Sequence, residues 1–284
     1  MSVWNRFSLL FIAALMIINC DTKKDYQKDV TANVLCYTLA ACNQSRATTV
    51  GMIGDSWTDL LIGYPAVDTL RVQLEKNHGY KITGATLGGK TLSQASDQGL
   101  QFQVIEQAGA DIHTMILSLG GNDLQANLSA YVGNENSVQA ARFADIKFRI
   151  KTMILTGNSY KISKYGGQPL KWIIHGYDYP NPYKGAVIPG ADEGCSTKFA
   201  SAGFNLPDVA AFTSQQLDAF NELLRSITSE EPNFYYVDLR RTLGGPPISN
   251  AQLMLDCIHP NSLGFQFLGD KLATQISPLT GVSN

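Results

Sequence analysis

The sequence predicts an α/β fold, a five-stranded parallel sheet covered by helices on both faces. Three observations lead there. Five short apolar runs, bounded by turn residues, are spread along the chain. Segments with apolar residues at helical spacing separate them. Such alternation is the pattern of parallel strands joined by helical crossovers. Third, the first and third runs stop abruptly at glycines that are followed by polar residues. Right-handed crossovers bring all the strand ends to one rim, where open α/β sheets hold their ligands.

The elements follow in order. Thr49 to Ile53 is the first strand, ended by Gly54-Asp55-Ser56-Trp57. Val67, Leu70 and Leu74 repeat at helical spacing, which predicts a helix over 66–77, closed by Gly79. Tyr80 to Thr86 is a weak second strand with a Gly88-Gly89 turn after it, and a helix is expected over 91–108. His113 to Leu119 is the third strand, ended by Gly120-Gly121-Asn122-Asp123. Val138 to Leu155 has helical periodicity, and Leu170 to His175 is the fourth strand. Residues 176–206, rich in Pro and Gly, are expected as one long loop of the kind that often carries function. Thr213 to Thr228 is a helix, Asn233 to Leu239 the fifth strand, and 262–276 a final helix.

Composition bounds the function. The chain has 284 residues, 44% hydrophobic and 16% charged, which suits one large domain over 48–280. A net charge of −2 and the lack of any long charge run argue against nucleic-acid binding. The first twenty residues differ from the rest: Arg6 is their only charge, and Phe7 to Ile18 is an apolar run. That run is short for a membrane span and fits the core of a signal peptide. Ile17-Ile18-Asn19-Cys20 resembles the lipobox of bacterial lipoproteins, although Asn19 stands where that pattern prefers a small residue. The resemblance implies export, lipidation of Cys20 and anchoring to a bacterial membrane in the cell envelope, with 21–47 as a polar tether. Four other cysteines remain, Cys36, Cys42, Cys195 and Cys257. In an oxidising compartment an even number favours disulfides, with three connectivities open. A local Cys36–Cys42 loop would leave Cys195–Cys257, which would tie residues 256–259 to the long loop.

Candidate chemistry converges on Ser56. A serine nucleophile needs a base, and the base needs a group that holds its tautomer. Of the four histidines, His78 and His113 lie on the opposite rim. His175 closes the fourth strand, and His259 sits in Asp256-Cys257-Ile258-His259-Pro260. In a turn, Asp256 can reach the near ring nitrogen of His259 and leave the far one for Ser56. Acyl transfer also needs oxyanion donors. The Gly88-Gly89 backbone and the Asn122 amide are candidates. Trp57, Tyr177, Tyr179 and Tyr183 are expected along a substrate cleft, together with His175 and Asp178.

Gly54-Asp55-Ser56, Gly89-Lys90-Thr91, Gly121-Asn122-Asp123 and Asp256-Cys257-Ile258-His259 together resemble the four sequence blocks of the SGNH (GDSL-type) hydrolases, over about 49–276. The resemblance implies a three-layer, flavodoxin-like α/β/α fold. It implies Ser56 as nucleophile, His259 as base and Asp256 as its orienting acid. Ser56 N–H, Gly89 N–H and the Asn122 side chain would form the oxyanion hole, with Asp55 a structural brace of the turn. The expected activity is esterase cleavage of acyl or acetyl esters through an acyl-enzyme, with small esters, lipids or acylated glycans as substrates. No metal or organic cofactor is required.

Four other readings are open to the same residues. Gly84 to Thr91 matches the phosphate-loop pattern G-x-x-x-x-G-K-[ST]. The strand before it is poor, and the third strand ends in Gly-Gly where that mechanism wants an aspartate. His175 and Asp178, with Asp192 or Glu193, could ligate a metal, but their spacing is not diagnostic. The same site could serve an acyl or acetyl transferase, or survive degenerate in a surface-binding lipoprotein.

Overall fold

Val50–Gly54 forms β1, every residue of it buried. Both of its faces are buried, which explains why it reads as a continuous apolar run. The computed structural model describes residues 49–60, 67–86, 88–185 and 195–282, all within one compact unit, Ser45–Asn284. The expected signal segment 1–20 and tether 21–47 lie outside the described residues, as do Cys20, Cys36 and Cys42.

β1 pairs in parallel with β2 (Ile82–Thr86) on one side and β3 (Thr114–Ser118) on the other. β4 (Lys171–His175) and β5 (Phe234–Val237) extend the sheet beyond β3, also in parallel. The order β2-β1-β3-β4-β5 is the doubly wound, flavodoxin-like one, with its switch point between β1 and β3. Helix α1 (Leu70–Asn77) packs with the C-terminal helix, Ser262–Thr280, on one face. α2 (Leu92–Asp97), α3 (Leu100–Ala108) and α5 (Glu135–Tyr165) pack together on the other, where α7 (Val209–Ile227) joins α5. The short α4 (Gly121–Gln125) follows β3 directly, α6 (Cys195–Ser201) precedes α7, and the C-terminal helix is α8. This is a three-layer α/β/α architecture.

Three expectations are corrected. The helix expected over 91–108 is two helices, because Gly99 takes φ +63° and opens α3 from a left-handed position. The helix expected over 138–155 is 31 residues long. Its second half is held by polar contacts that a hydrophobic pattern cannot show: Asn158 Oδ1 accepts from Leu170 N–H and Trp172 Nε1–H, and Lys161 Nζ donates to Gly166 O and Gln168 O. The stretch 176–206, expected as loop, contains α6. Seven residues with two buried apolar side chains, Cys195 and Phe199, are too few to display a period.

Candidate active site

The loops after β1, β2, β3 and β4 meet at one rim, as do the residues that precede α8. Ser56 lies two residues beyond β1. Its turn is tight: a Cβ built on Gly54 would come within 2.1 Å of Thr58 Oγ1, so glycine is needed there. Thr58 N–H and Oγ1–H both donate to Asp55 O, at 3.0 and 2.8 Å. Asp55 Oδ1 accepts from Trp57 N–H.

The histidine arrives on a second tight turn. Asp256 Oδ1 accepts from the N–H groups of Ile258 and His259, at 2.9 and 2.7 Å. Leu255 N–H donates back to His259 O. This leaves Asp256 Oδ2 facing the ring, 2.7 Å from His259 Nδ1. His259 Nε2 is 2.7 Å from Ser56 Oγ. Burial would raise the Asp256 pKa, but the hydrogen bond and charge of His259 and the two backbone N–H groups outweigh it, and the carboxyl is held below its ordinary value. An ionised carboxylate only accepts. It therefore accepts a hydrogen bond from Nδ1–H, and Nε2 is left to accept from the serine. Trp57 Nε1–H donates to Ile258 O at 3.1 Å and ties the two turns together.

The remaining loops are stitched by Asn122 and Asp123. Asn122 Nδ2 donates to Lys90 O at 3.0 Å. Asp123 accepts from Leu92 N–H and Ser93 N–H. Thr91 and Gln94 form a reciprocal capping box at the same helix end. The first turn of α2 is thus satisfied, which pins the Gly89 loop to the Asn122 loop. Gly89 takes φ +74° and is exposed, and a Cβ there would meet nothing within 4 Å. Lys90 points away from the loop and donates through Nζ to Gln98 Oε1. Gly84 lies inside β2, so 84–91 is not the continuous phosphate-cradling loop that its pattern resembles.

A further connection was not legible in the sequence. Tyr177 is buried and donates to Asp55 Oδ2 at 2.5 Å. Its ring covers Gly121 so closely that a Cβ there would lie 3.1 Å from it. Tyr177 therefore bridges the serine turn and the turn that carries Asn122. Burial raises Asp55 to about 6, although the Tyr177 and Trp57 hydrogen bonds pull the other way. Burial, with the neighbouring Asp55 charge, raises the Tyr177 phenol well above its ordinary value.

A cleft of about 800 Å³, counting the part open to solvent, leads away from Ser56. Trp57, Tyr177 and Asp178 line it. Three expectations about the cleft are corrected. His175 is completely buried, lies outside the cleft lining and shares a hydrogen bond between Nδ1 and Gly176 O. Burial lowers it to about 4, so it is a neutral packing group behind Trp57, whose ring it stacks against. Tyr179 is buried, and its hydroxyl donates to Asp218. Tyr183 turns outward and donates to Leu206 O. Asp178 lines the cleft, but its carboxylate is occupied by the N–H groups of Tyr179, Arg241 and Leu243. Among the described residues no three His, Cys, Asp or Glu side chains cluster to hold a metal, and Asp192 and Glu193 lie outside them. Cys195 and Cys257 are joined in a disulfide, with Cα atoms 5.8 Å apart.

A GDSL-like lipase/acylhydrolase family model matches residues 52–267. The chain resembles a lipase from a goat rumen metagenome at TM-score 0.54 and 16% identity, covering 83% of this chain and 98% of that one. It resembles a GDSL-like lipase from Bacteroides thetaiotaomicron at TM-score 0.53 and 18% identity, covering 87% and 97%. A putative acylhydrolase from Bacteroides fragilis aligns at TM-score 0.52 and 16% identity, covering 91% and 100%. At these identities the structural likeness speaks for the fold. No curated protein matches the chain at a significant level. With the matched region taking in the Gly-Asp-Ser turn, the Gly-Asn-Asp turn and the Asp-x-x-His turn, the chain belongs to the GDSL-like lipase/acylhydrolase family and is a hydrolase of ester bonds.

Proposed function

We propose that the protein is a serine esterase that works through an acyl-enzyme on Ser56. The observation that carries this reading is the unbroken chain Asp256 Oδ2, His259 Nδ1, His259 Nε2 and Ser56 Oγ, with 2.7 Å at each end. Ser56 Oγ attacks the ester carbonyl as its proton passes to His259 Nε2. Asp256 steadies the imidazolium that forms. The oxyanion is received by the N–H groups of Ser56 and Gly89 and by Asn122 Nδ2, whose amide carries a second N–H besides the one given to Lys90 O. Collapse of the intermediate expels the alcohol, which takes the proton from His259. Water then attacks the acyl-enzyme by the same route, giving the acid and restoring Ser56.

The test is turnover of p-nitrophenyl acetate. Ser56→Ala should lower kcat by ~10⁴-fold or more, since removing a triad member leaves only background catalysis. Equal rates in variant and wild type would sink the assignment.

The reading extends to export and lipid anchoring at Cys20. Its supports are the apolar run from Phe7 to Ile18 ahead of that cysteine and the Cys195–Cys257 disulfide, a bond typical of oxidising compartments. Cys20→Ala should release the protein from the membrane fraction and abolish incorporation of radiolabelled palmitate. Unchanged fractionation and labelling would refute the anchor.

A further inference from the structure

We propose that Arg142 and Asp123 are positioning residues for the oxyanion hole. Arg142 fixes the short helix that carries Asn122, and the Asp123 carboxylate sets the Gly89 loop against that helix. This rests on Ser56 being the nucleophile and on Asn122 and Gly89 being its oxyanion donors.

An oxyanion hole works only if its donors hold their places before charge develops. Asn122 and Gly89 come from different loops, so one must be fixed against the other. Neither loop can do this alone. α4 has five residues, far too few for an independent helix. Gly89 is exposed at φ +74°, and a Cβ built on it would meet nothing within 4 Å.

Arg142, on α5, holds the end of α4. Its Nη1 donates to Asp123 O and Leu124 O at 3.2 and 2.6 Å, and its Nη2 donates to Asn127 O at 3.1 Å. Carbonyls at a helix end lack partners within the helix, and a guanidinium presents several donors in one rigid fork. The fork itself has a fixed seat. It lies over the ring of Tyr131, 4.4 Å from the centroid. Tyr131 is completely buried, and its hydroxyl donates to Leu124 O.

Asp123 carries the constraint to the second donor. Its Oδ2 accepts from Leu92 N–H at 2.8 Å and its Oδ1 from Ser93 N–H at 3.3 Å. Those residues open α2, directly after the Gly89 loop. Asn122 Nδ2 closes the same loop by donating to Lys90 O. One residue therefore joins the two: Arg142 holds its main chain, and its side chain holds α2. No atom of Arg142 or of the Asp123 carboxylate is asked to touch the substrate.

A merely structural clamp would change stability and leave the reaction alone. The test therefore reads kcat and KM on p-nitrophenyl acetate, together with the affinity of a trifluoromethyl ketone. Ser56 Oγ adds to the ketone carbon as its proton passes to His259, and the ketone oxygen becomes the oxyanion. Arg142→Ala and Asp123→Ala should each lower kcat by roughly 10- to 100-fold, up to what a missing donor costs. KM should stay within about twofold, and inhibitor affinity should fall by the same factor as kcat. Arg142→Lys keeps the charge and loses the fork. It should show the same pattern at roughly fivefold, and it decides if the alanine variant does not fold. The double variant should lose little more than the worse single one, because the two residues act in series. Folded variants with wild-type kcat, a kcat loss without a matching loss of inhibitor affinity, or losses that multiply in the double variant would overturn the proposal. Wild-type kcat in Asn122→Ala would instead overturn the donor assignment, and wild-type kcat in Ser56→Ala the nucleophile assignment.

Discussion

Two buried aspartates flank the reacting serine and behave oppositely. Asp55 and Asp256 each accept a side-chain hydrogen bond and at least one backbone N–H. Yet Asp55 is raised to about 6, while Asp256 is held below its ordinary value. The difference lies in the partner. Asp256 faces an imidazole that can carry positive charge, and it is less deeply enclosed. Asp55 faces a phenol, which cannot, and burial prevails. A carboxylate beside a nucleophile is thus not automatically part of its proton relay. Only the one that can compensate an imidazolium stabilises charge during reaction, and the other braces the fold.

Changing each aspartate to its amide tests the contrast most strongly. Asp256→Asn should cost ~10³–10⁴ in kcat with the fold retained, because the amide can stabilise the wrong imidazole tautomer. Asp55→Asn should cost less than about tenfold. Matching losses on an ester substrate would erase the distinction.

The link between the two turns comes next. Tyr177→Phe keeps the ring over Gly121 and removes the hydroxyl that donates to Asp55. We expect kcat to fall roughly tenfold with little change in KM, and stability to fall by about 1–3 kcal/mol for the buried Asp55 oxygen left unpaired. Wild-type kcat in Tyr177→Phe would mean that the bridge does not position Asn122.

The gentlest probe is stability against pH. Asp55 has a folded pKa of about 6 against 3.8 unfolded, so the native state binds the extra proton between those values. Its contribution is most favourable at low pH and is lost as pH rises through 6, by about 3 kcal/mol at most. His175 has a folded pKa of about 4 against 6.5. Here the unfolded state binds the extra proton, so stability is lost as pH falls from 6.5 toward 4, by a similar amount. The two linkages oppose each other. Denaturant titrations across pH 4 to 7 should show Asp55→Asn losing stability on acidification more steeply than wild type. His175→Gln should lose it less steeply. Parallel profiles for all three proteins would show that neither group is perturbed as the structure indicates.

What could be read without coordinates follows from local physics. β1 and β3 are buried on both faces, so they stand out as apolar runs. Gly54 and Gly120 mark where those runs stop. The Asp256-x-x-His259 spacing is legible because a single turn closes it. Reading failed where a contact joins distant segments or an element is short. His175 sits at a strand end on the site's rim, yet packing encloses it. Asp123 carries no label in Gly-Asn-Asp that says it will cap α2. Tyr177 looked like one of several cleft aromatics, and its bond to Asp55 spans 122 residues.

The sequence by itself determined the fold class, the rim on which the chemistry sits and the residues Ser56, Asn122, Asp256 and His259 that gather there. Periodicity, glycine placement and one-turn spacings are local, and local geometry survives in a string of letters. Only the tertiary structure decided that Tyr177 is the partner of Asp55, which histidine is buried beyond reach, and how a satellite cluster and a disulfide shape the cleft. Those depend on burial and on distances between segments far apart in the chain, and neither is written in any one stretch of it.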